Sequence, residues 1–295
     1  MKRLIQIISA PSILGLKPTG VDKLGDSLLA AGLAENISAL TPVIDVKTYN
    51  DSYSFKRDPT THCLNPLAIR DFSLVLMDVM AQEIQRNHFS LVLGGDCSIM
   101  LGIMPALKKE SNYGLIFLDA HADFYAPTQS TGEVADMDLA IITGRGPEIL
   151  TNIGGLKPYI ADKQVIHIGQ RDAEETKQYH SQDIRDSGIH CFDLAYIHSK
   201  GVDTVLEEVK EVMDKLEVDG YWIHFDTDVL HDEDNPAVDY RLADGLRLAE
   251  VNNLLKSLLA TEQMVGISIT IFNPSLDPDD LIANNISACL GEAFA

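Results

Sequence analysis

Acidic side chains and one histidine recur at a spacing of two residues in two segments of the chain. The first segment presents Asp119, His121 and Asp123. The second presents Asp226 and Asp228. Side chains at positions i, i+2 and i+4 of an extended segment point to the same side, so each segment directs its polar groups to one place. Carboxylates and imidazole are metal ligands, and the pattern therefore predicts a metal site.

A third segment, Gly94-Gly95-Asp96-Cys97-Ser98, follows a predicted strand and precedes a predicted helix. The paired glycines permit a sharp turn, which would bring Cys97 to the same edge as the acids. We expect Asp96 to cap the helix rather than take part in chemistry, because Asp is preferred at helix N-termini. Capping is also the alternative for any other single acid, but it does not explain acids paired on separate strand ends.

The predicted ligand set is larger than one ion needs. It contains four carboxylates, and carboxylates can bridge two metal ions that lie roughly 3.5–4 Å apart. So many acids at one edge would repel each other unless cations intervened, and we therefore expect a two-metal site. Oxygen-rich ligands favour Mg²⁺ or Mn²⁺, and the imidazole of His121 shifts the preference toward Mn²⁺.

Short β-branched runs alternate with longer amphipathic segments along the chain. The predicted strands are Leu4–Ser9, Val43–Lys47, Ser90–Leu93, Leu115–Asp119, Val165–Ile168, Tyr221–Asp226 and Val265–Ile271. The predicted helices are Gly20–Leu33, Asn65–Asn87, Ser98–Glu110, Glu174–Ser187, Val202–Lys215 and Leu246–Leu259. This alternation predicts an α/β fold, with residues 1–295 forming a single doubly wound domain whose mostly parallel sheet is flanked by helices on both faces. The ligand segments follow strand ends, where open α/β sheets bind their ligands.

The composition restricts the class of partner. Acidic residues outnumber basic ones by 44 to 23, which gives a formal net charge of −21. This charge opposes binding to nucleic acid or to an anionic membrane surface, and no stretch approaches the roughly 18 apolar residues of a membrane span. The four cysteines fit neither a disulfide framework nor a zinc knuckle. We therefore expect a cytoplasmic enzyme that acts on a small molecule.

At the three ligand segments the chain resembles the ureohydrolases, the family of arginase, agmatinase and formiminoglutamase. The family carries Gly-Gly-Asp-His-Ser, Asp-Ala-His-x-Asp and Ser-x-Asp-x-Asp, and the resemblance extends over nearly the whole chain. It implies an arginase-like three-layer α/β/α fold. It also implies that two Mn²⁺ ions support hydrolysis of a linear C–N bond in a guanidine, hydroxyguanidine or amidine. A homo-oligomer, either a trimer or a hexamer, is a further expectation from the resemblance.

The resemblance also assigns roles to individual residues. Six of them would be metal ligands: Cys97, Asp119, His121, Asp123, Asp226 and Asp228. Asp123 would in addition relay a proton from the attacking water to the leaving amine. Ser130 and Thr131 would bind the amino-acid end of the substrate, and Glu174 would meet its ammonium group.

Three positions depart from the family pattern. Cys97 stands where the family has a histidine ligand, and a thiolate makes Zn, Fe or Co more competitive because it is a softer ligand. Ala135 stands in place of the family's proton-shuttling histidine. Ile271 stands in place of the glutamate that binds the guanidinium, so a cationic substrate would lose its main counter-charge.

These departures leave the substrate open. Glu133, Glu174 or Asp244 could supply the missing counter-charge. His224, on the same side of its strand as Asp226, could support the ligands or carry a proton. Two functions remain as alternatives to hydrolysis of a guanidine, hydroxyguanidine or amidine: hydrolysis of a related non-guanidine amide, and metal binding without catalysis. The intact set of acids argues against the silent protein, because acids are costly to bury unless a metal balances them.

Overall fold

A computed structural model of the chain describes residues 3–46, 53–129 and 131–295. Within these ranges the strands are β1 (Ile5–Ser9), β2 (Ile44–Asp45), β3 (Phe89–Leu93), β4 (Tyr113–Leu118), β5 (Val165–Ile168), β6 (His190–Phe192), β7 (Gly220–Asp226) and β8 (Met264–Thr270). The α-helices there are α1 (Leu24–Ala30), α2 (Leu33–Asn36), α3 (Pro66–Gln85), α4 (Met100–Glu110), α5 (Asp138–Ile142), α6 (Glu148–Thr151), α7 (Ala173–Gln178), α8 (Leu194–Lys200), α9 (Val202–Lys215), α10 (Leu248–Leu259) and α11 (Leu281–Ala293).

These strands form one sheet in the order β2-β1-β3-β8-β7-β4-β5-β6, and every neighbouring pair is parallel. Strands β7 and β8, formed late in the chain, lie between β3 and β4. The carboxyl ends of β3, β8, β7 and β4 are therefore neighbours, and the loops that follow them meet at one edge of the sheet.

Alternating side chains along the strands supply two separate cores. On one face, Ile7 and Leu91 pack with apolar residues of α1, α9, α10 and α11. On the other face, Ile8 and Val92 pack with residues of α3, α4, α5 and α6. Helices thus cover both faces, which confirms the predicted doubly wound α/β fold.

The predicted elements differ from the structure in several places. The helix predicted over 174–187 is shorter, because α7 ends at Gln178 and His180 has a left-handed φ of 58°. Strand β6 and helices α2, α5, α6, α8 and α11 were not predicted, and β6, at three residues, is too short for a periodic signal. The strand predicted over 43–47 is limited to Ile44–Asp45, and Lys47 lies outside the described residues.

The single-domain organisation of residues 1–295 stays a prediction, which the one continuous sheet supports. In the part of the chain that the structure describes, no helix has both the length and the apolar character needed to cross a bilayer.

The indole of Trp222 packs against β8 at a glycine. Gly266 is the register partner of Trp222. A Cβ at Gly266 would lie 2.1 Å from the Trp222 ring and 2.7 Å from the Ser90 carbonyl oxygen. The Trp222 Nε1–H donates to Ser268 Oγ at 3.1 Å, two residues farther along β8. Because Gly266 has no side chain, the Trp222 indole fits against β8 next to the strand ends that hold the polar residues.

We expect Gly266→Ala to destabilise the fold by about 1–3 kcal/mol, the usual cost of overpacking a core. Gly25→Ala is the matched control, because its new Cβ would lie no closer than 3.4 Å to a neighbour and would sit within helix α1, where Ala is favoured. Urea midpoints with equal m-values would measure the difference. An unchanged midpoint for Gly266→Ala would contradict this account of the Trp222 packing.

Candidate metal centre

A first group of candidate ligands joins the ends of β3, β4 and β7. Ligand atoms of Cys97, Asp119, His224 and Asp226 all lie within 4.8 Å of one another, and the four residues are buried. The Cys97 thiol donates to Asp226 Oδ2 at 2.9 Å, and its sulfur lies 3.3 Å from Thr270 Oγ1. A thiol, an imidazole and two carboxylates within this radius are enough to surround one metal ion.

A second group shares Asp119 with the first. It consists of Asp119, His121 and Asp228, again with the ligand atoms within 4.8 Å of one another. His121 Nδ1 lies 2.9 Å from Asp228 Oδ2 and 3.7 Å from Asp119 Oδ1. Because Asp119 belongs to both groups, it is placed as a carboxylate that bridges two ions would be.

Backbone N–H groups hold these carboxylates in position. Asp226 Oδ1 accepts from the Asp228 N–H at 2.8 Å, and Asp119 Oδ1 accepts from the His121 N–H at 2.6 Å. Asp228 Oδ1 accepts from the Ala120 N–H at 3.1 Å, which ties the ends of β4 and β7 together. The second oxygen of Asp119, Oδ2, is buried without a hydrogen-bond partner. A bound cation would satisfy that oxygen.

In the absence of a cation, protons must neutralise part of this cluster. Burial and the neighbouring Asp228 raise the pKa of Asp119 to about 7. Burial, again with Asp228, raises the pKa of Asp226 well above its ordinary value. Burial and Asp226 likewise raise the pKa of the Cys97 thiol. Each group is easier to ionise when a positive charge is added nearby.

His121 and Asp228 form an ion pair within the cluster. Burial opposes charge on the imidazole, but Asp228 and then Asp119 hold the pKa of His121 well above its ordinary value. Burial also opposes charge on Asp228, yet His121 keeps the pKa of that carboxyl below its ordinary value. The unpartnered oxygen of Asp119, the raised carboxyl pKa values and this proton on a ligand histidine all fit a site built for added positive charge.

Asp123 lines the cavity at this site. Neither of the two ligand groups found among the described residues includes it. Its carboxyl interacts with that of Asp138, a fully buried acid. Burial first, and then Asp119, raises the pKa of both Asp123 and Asp138. Two adjacent carboxyls of this kind share a proton. Direct metal ligation by Asp123 stays a prediction.

A cavity of about 390 Å³ opens onto both ligand groups. Thr131, one of the predicted substrate-binding residues, lines it. Glu174 is exposed in the first turn of α7, and among the described residues it is the neighbouring Glu175 that lines the cavity. Ser130 lies outside the described residues. The substrate-binding roles of Ser130, Thr131 and Glu174 therefore stay predictions.

Part of the cavity wall is apolar. Leu16, Ala135 and Ile271 line the cavity and cluster around Cys97. Ile271 has a φ of 71°, a left-handed conformation that β-branched residues rarely adopt. Its N–H donates to the Gly95 carbonyl at 2.9 Å, which helps to impose that conformation. An apolar side chain thus occupies the position where the family resemblance implies a glutamate.

Two other acids that could replace that glutamate already have partners. Glu133 is buried, with Lys17 Nζ at 3.0 Å and the hydroxyl of Tyr240 donating at 2.7 Å. Asp244 is exposed and lies 3.8 Å from His198 Nδ1. Neither residue is a free carboxylate beside the ligand groups.

Sequence reasoning found much of this site but not all of it. Asp96 accepts from the Ser98 N–H at 2.8 Å and caps the turn Cys97–Ile99, as predicted. Asp138 was not singled out, although an acid within the apolar run Val134–Ile142 was an available signal. No sequence pattern distinguishes Glu175 from the adjacent Glu174 as the residue that lines the cavity.

Two adjoining groups of metal ligands, with a pair of acids beside them that can carry a proton, define a metal-dependent enzyme suited to hydrolysis. Comparison with known proteins identifies its family. The Arginase family model matches residues 28–294. An arginase of Staphylococcus aureus is 29% identical and aligns with 99% of this chain and 97% of its own.

Solved structures agree with that match. The arginase of Bacillus caldovelox superposes with a TM-score of 0.88 at 29% identity, covering 99% of this chain and 98% of its own. The arginase of Bacillus cereus gives a TM-score of 0.87 at 27% identity, covering 100% and 99%. The chain belongs to the arginase family. It is a metal-dependent hydrolase of C–N bonds in linear amidines, with a binuclear metal site, as the sequence predicts.

Because the acids of this site are buried, we expect bound metal to increase the free energy of unfolding by a larger amount as pH rises. In the metal-free protein the folded pKa of Asp119, about 7, lies above the ordinary value of 3.8. Between pH 3.8 and about 7 the folded state binds more protons than the unfolded state. The contribution of Asp119 to stability is therefore full below pH 3.8 and is lost as pH rises through about 7. Bound metal removes that loss because it replaces the proton.

We expect the difference in Tm between metal-loaded and chelator-treated protein to widen by about 5 °C or more between pH 5 and pH 8, since each kcal/mol corresponds to roughly 2 °C in a chain of this size. The metal-free Asp119→Asn variant should lose less stability over the same range. A Tm difference that does not change with pH would refute the electrostatic explanation.

Proposed function

We propose that this hydrolase acts on a small linear hydroxyguanidine or related amide whose reacting group is not a strong cation. The supporting observation is the apolar wall formed by Leu16, Ala135 and Ile271 beside Cys97. A guanidinium against that wall would face apolar side chains at the position where the family resemblance implies a glutamate, and a buried charge without a partner is costly. A neutral group of similar shape carries no such penalty.

Other parts of the cavity suit a cationic end of the substrate. Asp136, Glu175 and Asp239 line it, and among the described lining residues Arg241 is the one arginine and no lysine is present. Acids concentrated in a cleft attract and orient a cation. We propose that Glu175 and Thr131 bind this end of the substrate, and Ser130 and Glu174 stay predictions for the same role.

The proposed metal ligands are the five sequence-predicted ligands that also lie in these two groups: Cys97, Asp119, His121, Asp226 and Asp228. Mn²⁺ is the proposed ion because carboxylate oxygens dominate, whereas Zn, Fe and Co compete where Cys97 contributes sulfur. When bound, the ions supply Lewis acidity and neutralise the acids.

Asp123 is the proposed proton carrier. It lines the cavity, and its interaction with the buried Asp138 provides a second carboxyl over which the proton can be shared. Asp123 would take a proton from the attacking water and give it to the leaving amine. Ala135 cannot perform this transfer, so the task falls to the acid pair.

The first test measures urea and ammonia release together with bound metal in the same sample. The panel contains arginine, N-hydroxyarginine, agmatine, guanidinobutyrate, formiminoglutamate and guanidine. We expect turnover of one compound class, with Asp123→Asn lowering kcat by at least about 100-fold, the usual contribution of a positioned acid–base group. Asp244→Asn is the matched control, because Asp244 is exposed and Asn also tolerates its left-handed φ of 71°.

The possible results of this panel differ clearly. Bound metal without release from any compound would favour a non-guanidine amide as substrate. Neither metal nor release would favour the catalytically silent protein. Equal activity of Asp123→Asn and wild type would remove Asp123 from the mechanism.

A second test restores the missing counter-charge. Ile271→Glu should raise kcat/KM for guanidinium compounds by about tenfold or more relative to Ile271→Gln, because only the glutamate can form a charge-assisted pair with the cation. The glutamine variant controls for size, polarity and the strained backbone at this position. Equal selectivity of the two variants would show that the apolar wall does not determine the substrate.

Three further properties stay predictions: the cytoplasmic location, the single domain and the homo-oligomeric state. Light scattering coupled to size-exclusion chromatography would distinguish a trimer from a hexamer.

A further inference from the structure

His224 lies in a row of register partners at the centre of the sheet, with Phe117 on β4 and Ser268 on β8. It is fully buried. It precedes Asp226 by two residues on β7, so both side chains lie on the same side of the strand. Its ring packs on Phe117 with the ring centroids 4.5 Å apart. The metal ligands predicted from the sequence do not include this residue.

Contacts with neighbouring side chains hold the His224 ring in one orientation. Nδ1 lies 3.0 Å from Ser268 Oγ. That oxygen also accepts from the Trp222 Nε1–H at 3.1 Å, and its own proton can go to the Ile223 carbonyl at 3.5 Å. In the tautomer in which Nδ1–H donates to Ser268, Nε2 keeps its lone pair. Metal-bound histidines are commonly oriented by such a bond from the other ring nitrogen.

The free nitrogen faces the Cys97 side of the site. Nε2 of His224 lies 3.5 Å from Thr270 Oγ1, which is itself 3.3 Å from Cys97 Sγ. The ligand atoms of His224, Cys97, Asp119 and Asp226 lie within 4.8 Å of one another.

We propose that His224 Nε2 is a ligand of the metal ion held by Cys97, Asp119 and Asp226, so that sulfur, nitrogen and oxygen atoms surround this ion. Such a donor set favours Zn²⁺ or Co²⁺ over Mn²⁺. The second ligand group remains oxygen-rich and suits Mn²⁺. The inference rests on the proposed two-metal centre and gives its two halves different metal preferences.

His167 shows how a structural histidine behaves in the same row. It is the register partner of Phe117 on β5, packs on that ring with centroids 5.3 Å apart, and is also buried, which lowers its pKa to about 4. Its Nε2, however, lies 2.8 Å from the His121 carbonyl oxygen. The two ligand groups found among the described residues do not include His167. It is therefore a matched control for burial and ring packing.

X-ray absorption at the zinc edge tests the proposal on the unmodified protein. The chain is stripped with a chelator and reloaded with one equivalent of Zn²⁺. We expect scattering from sulfur and from imidazole around the same ion. Sulfur without imidazole would overturn the assignment of His224 and leave the Cys97 centre intact. A protein that binds no metal, or binds it without sulfur, would overturn the proposed centre and this inference together.

Cobalt titrations of variants provide the second test. His224→Gln should weaken Co²⁺ binding at the sulfur-containing site by more than about 100-fold, beyond the 10–100-fold cost of losing an outer hydrogen-bond partner. It should also change the visible absorption of Co²⁺ while the thiolate band persists. His167→Gln should bind and absorb like wild type, because its amide can still donate to the His121 carbonyl.

The outcomes separate the two roles of a buried histidine. Equal losses of affinity in the His224→Gln and His167→Gln variants, or an unchanged cobalt spectrum in His224→Gln, would show that His224 acts by packing alone. Cys97→Ser should abolish the thiolate band, and this reports on the proposed centre independently of His224.

Discussion

Repulsion among buried acids is the interaction on which the rest of this structure depends. Asp119, Asp226 and Asp228 meet where the neighbouring strands β4 and β7 end, and Asp123 and Asp138 lie next to them. The sheet order causes this crowding, because β7 pairs with β4, a strand formed much earlier in the chain. Such a cluster is stable only with protons or cations among the oxygens. Metal binding is therefore part of the stability of the fold as well as of its chemistry.

The scaffold limits how the acids can respond to that repulsion. Asp119, Asp226 and Asp228 each commit one oxygen to a backbone N–H, so these carboxylates cannot simply turn away from one another. Below them, Trp222 fits against Gly266 and donates to Ser268. Ser268 in turn orients a histidine toward the site. Packing of the sheet and placement of polar groups are thus connected through neighbouring residues of two central strands.

The sequence predicted this site well where strand geometry controls it. The two-residue spacing of Asp119 and His121, and of Asp226 and Asp228, is enough to place each pair at a strand end, and the apolar runs before them indicate buried parallel strands. Strand alternation likewise places His224 beside Asp226. It cannot reveal that Ser268 fixes the ring, because that contact depends on which strand lies next in the sheet.

Loops and short helices were harder to predict for the same reason. Glu174 and Glu175 are adjacent in a helix of six residues, and only its rotation decides which of them lines the cavity. That rotation is set by packing against the sheet, which no local pattern records. Asp138 was missed because its burial depends on the surrounding apolar residues of the loop after β4. Local spacing therefore predicts ligands on strands better than it predicts residues that shape the cavity.

The departures from the family pattern at Cys97 and Ile271 have opposite effects on the charge of the site. Relative to the family pattern, a cysteine in place of a histidine adds one negative charge to the ligands once its thiol ionises. An isoleucine in place of a glutamate removes one negative charge from the cavity wall. The total charge of the site is thus unchanged, but it has moved from the substrate side to the metal side. In the proposed centre, bound ions would present less positive charge to the substrate, and the apolar wall would offer no partner for a cation. Both changes favour the same kind of reacting group, one that is polar and planar but close to neutral.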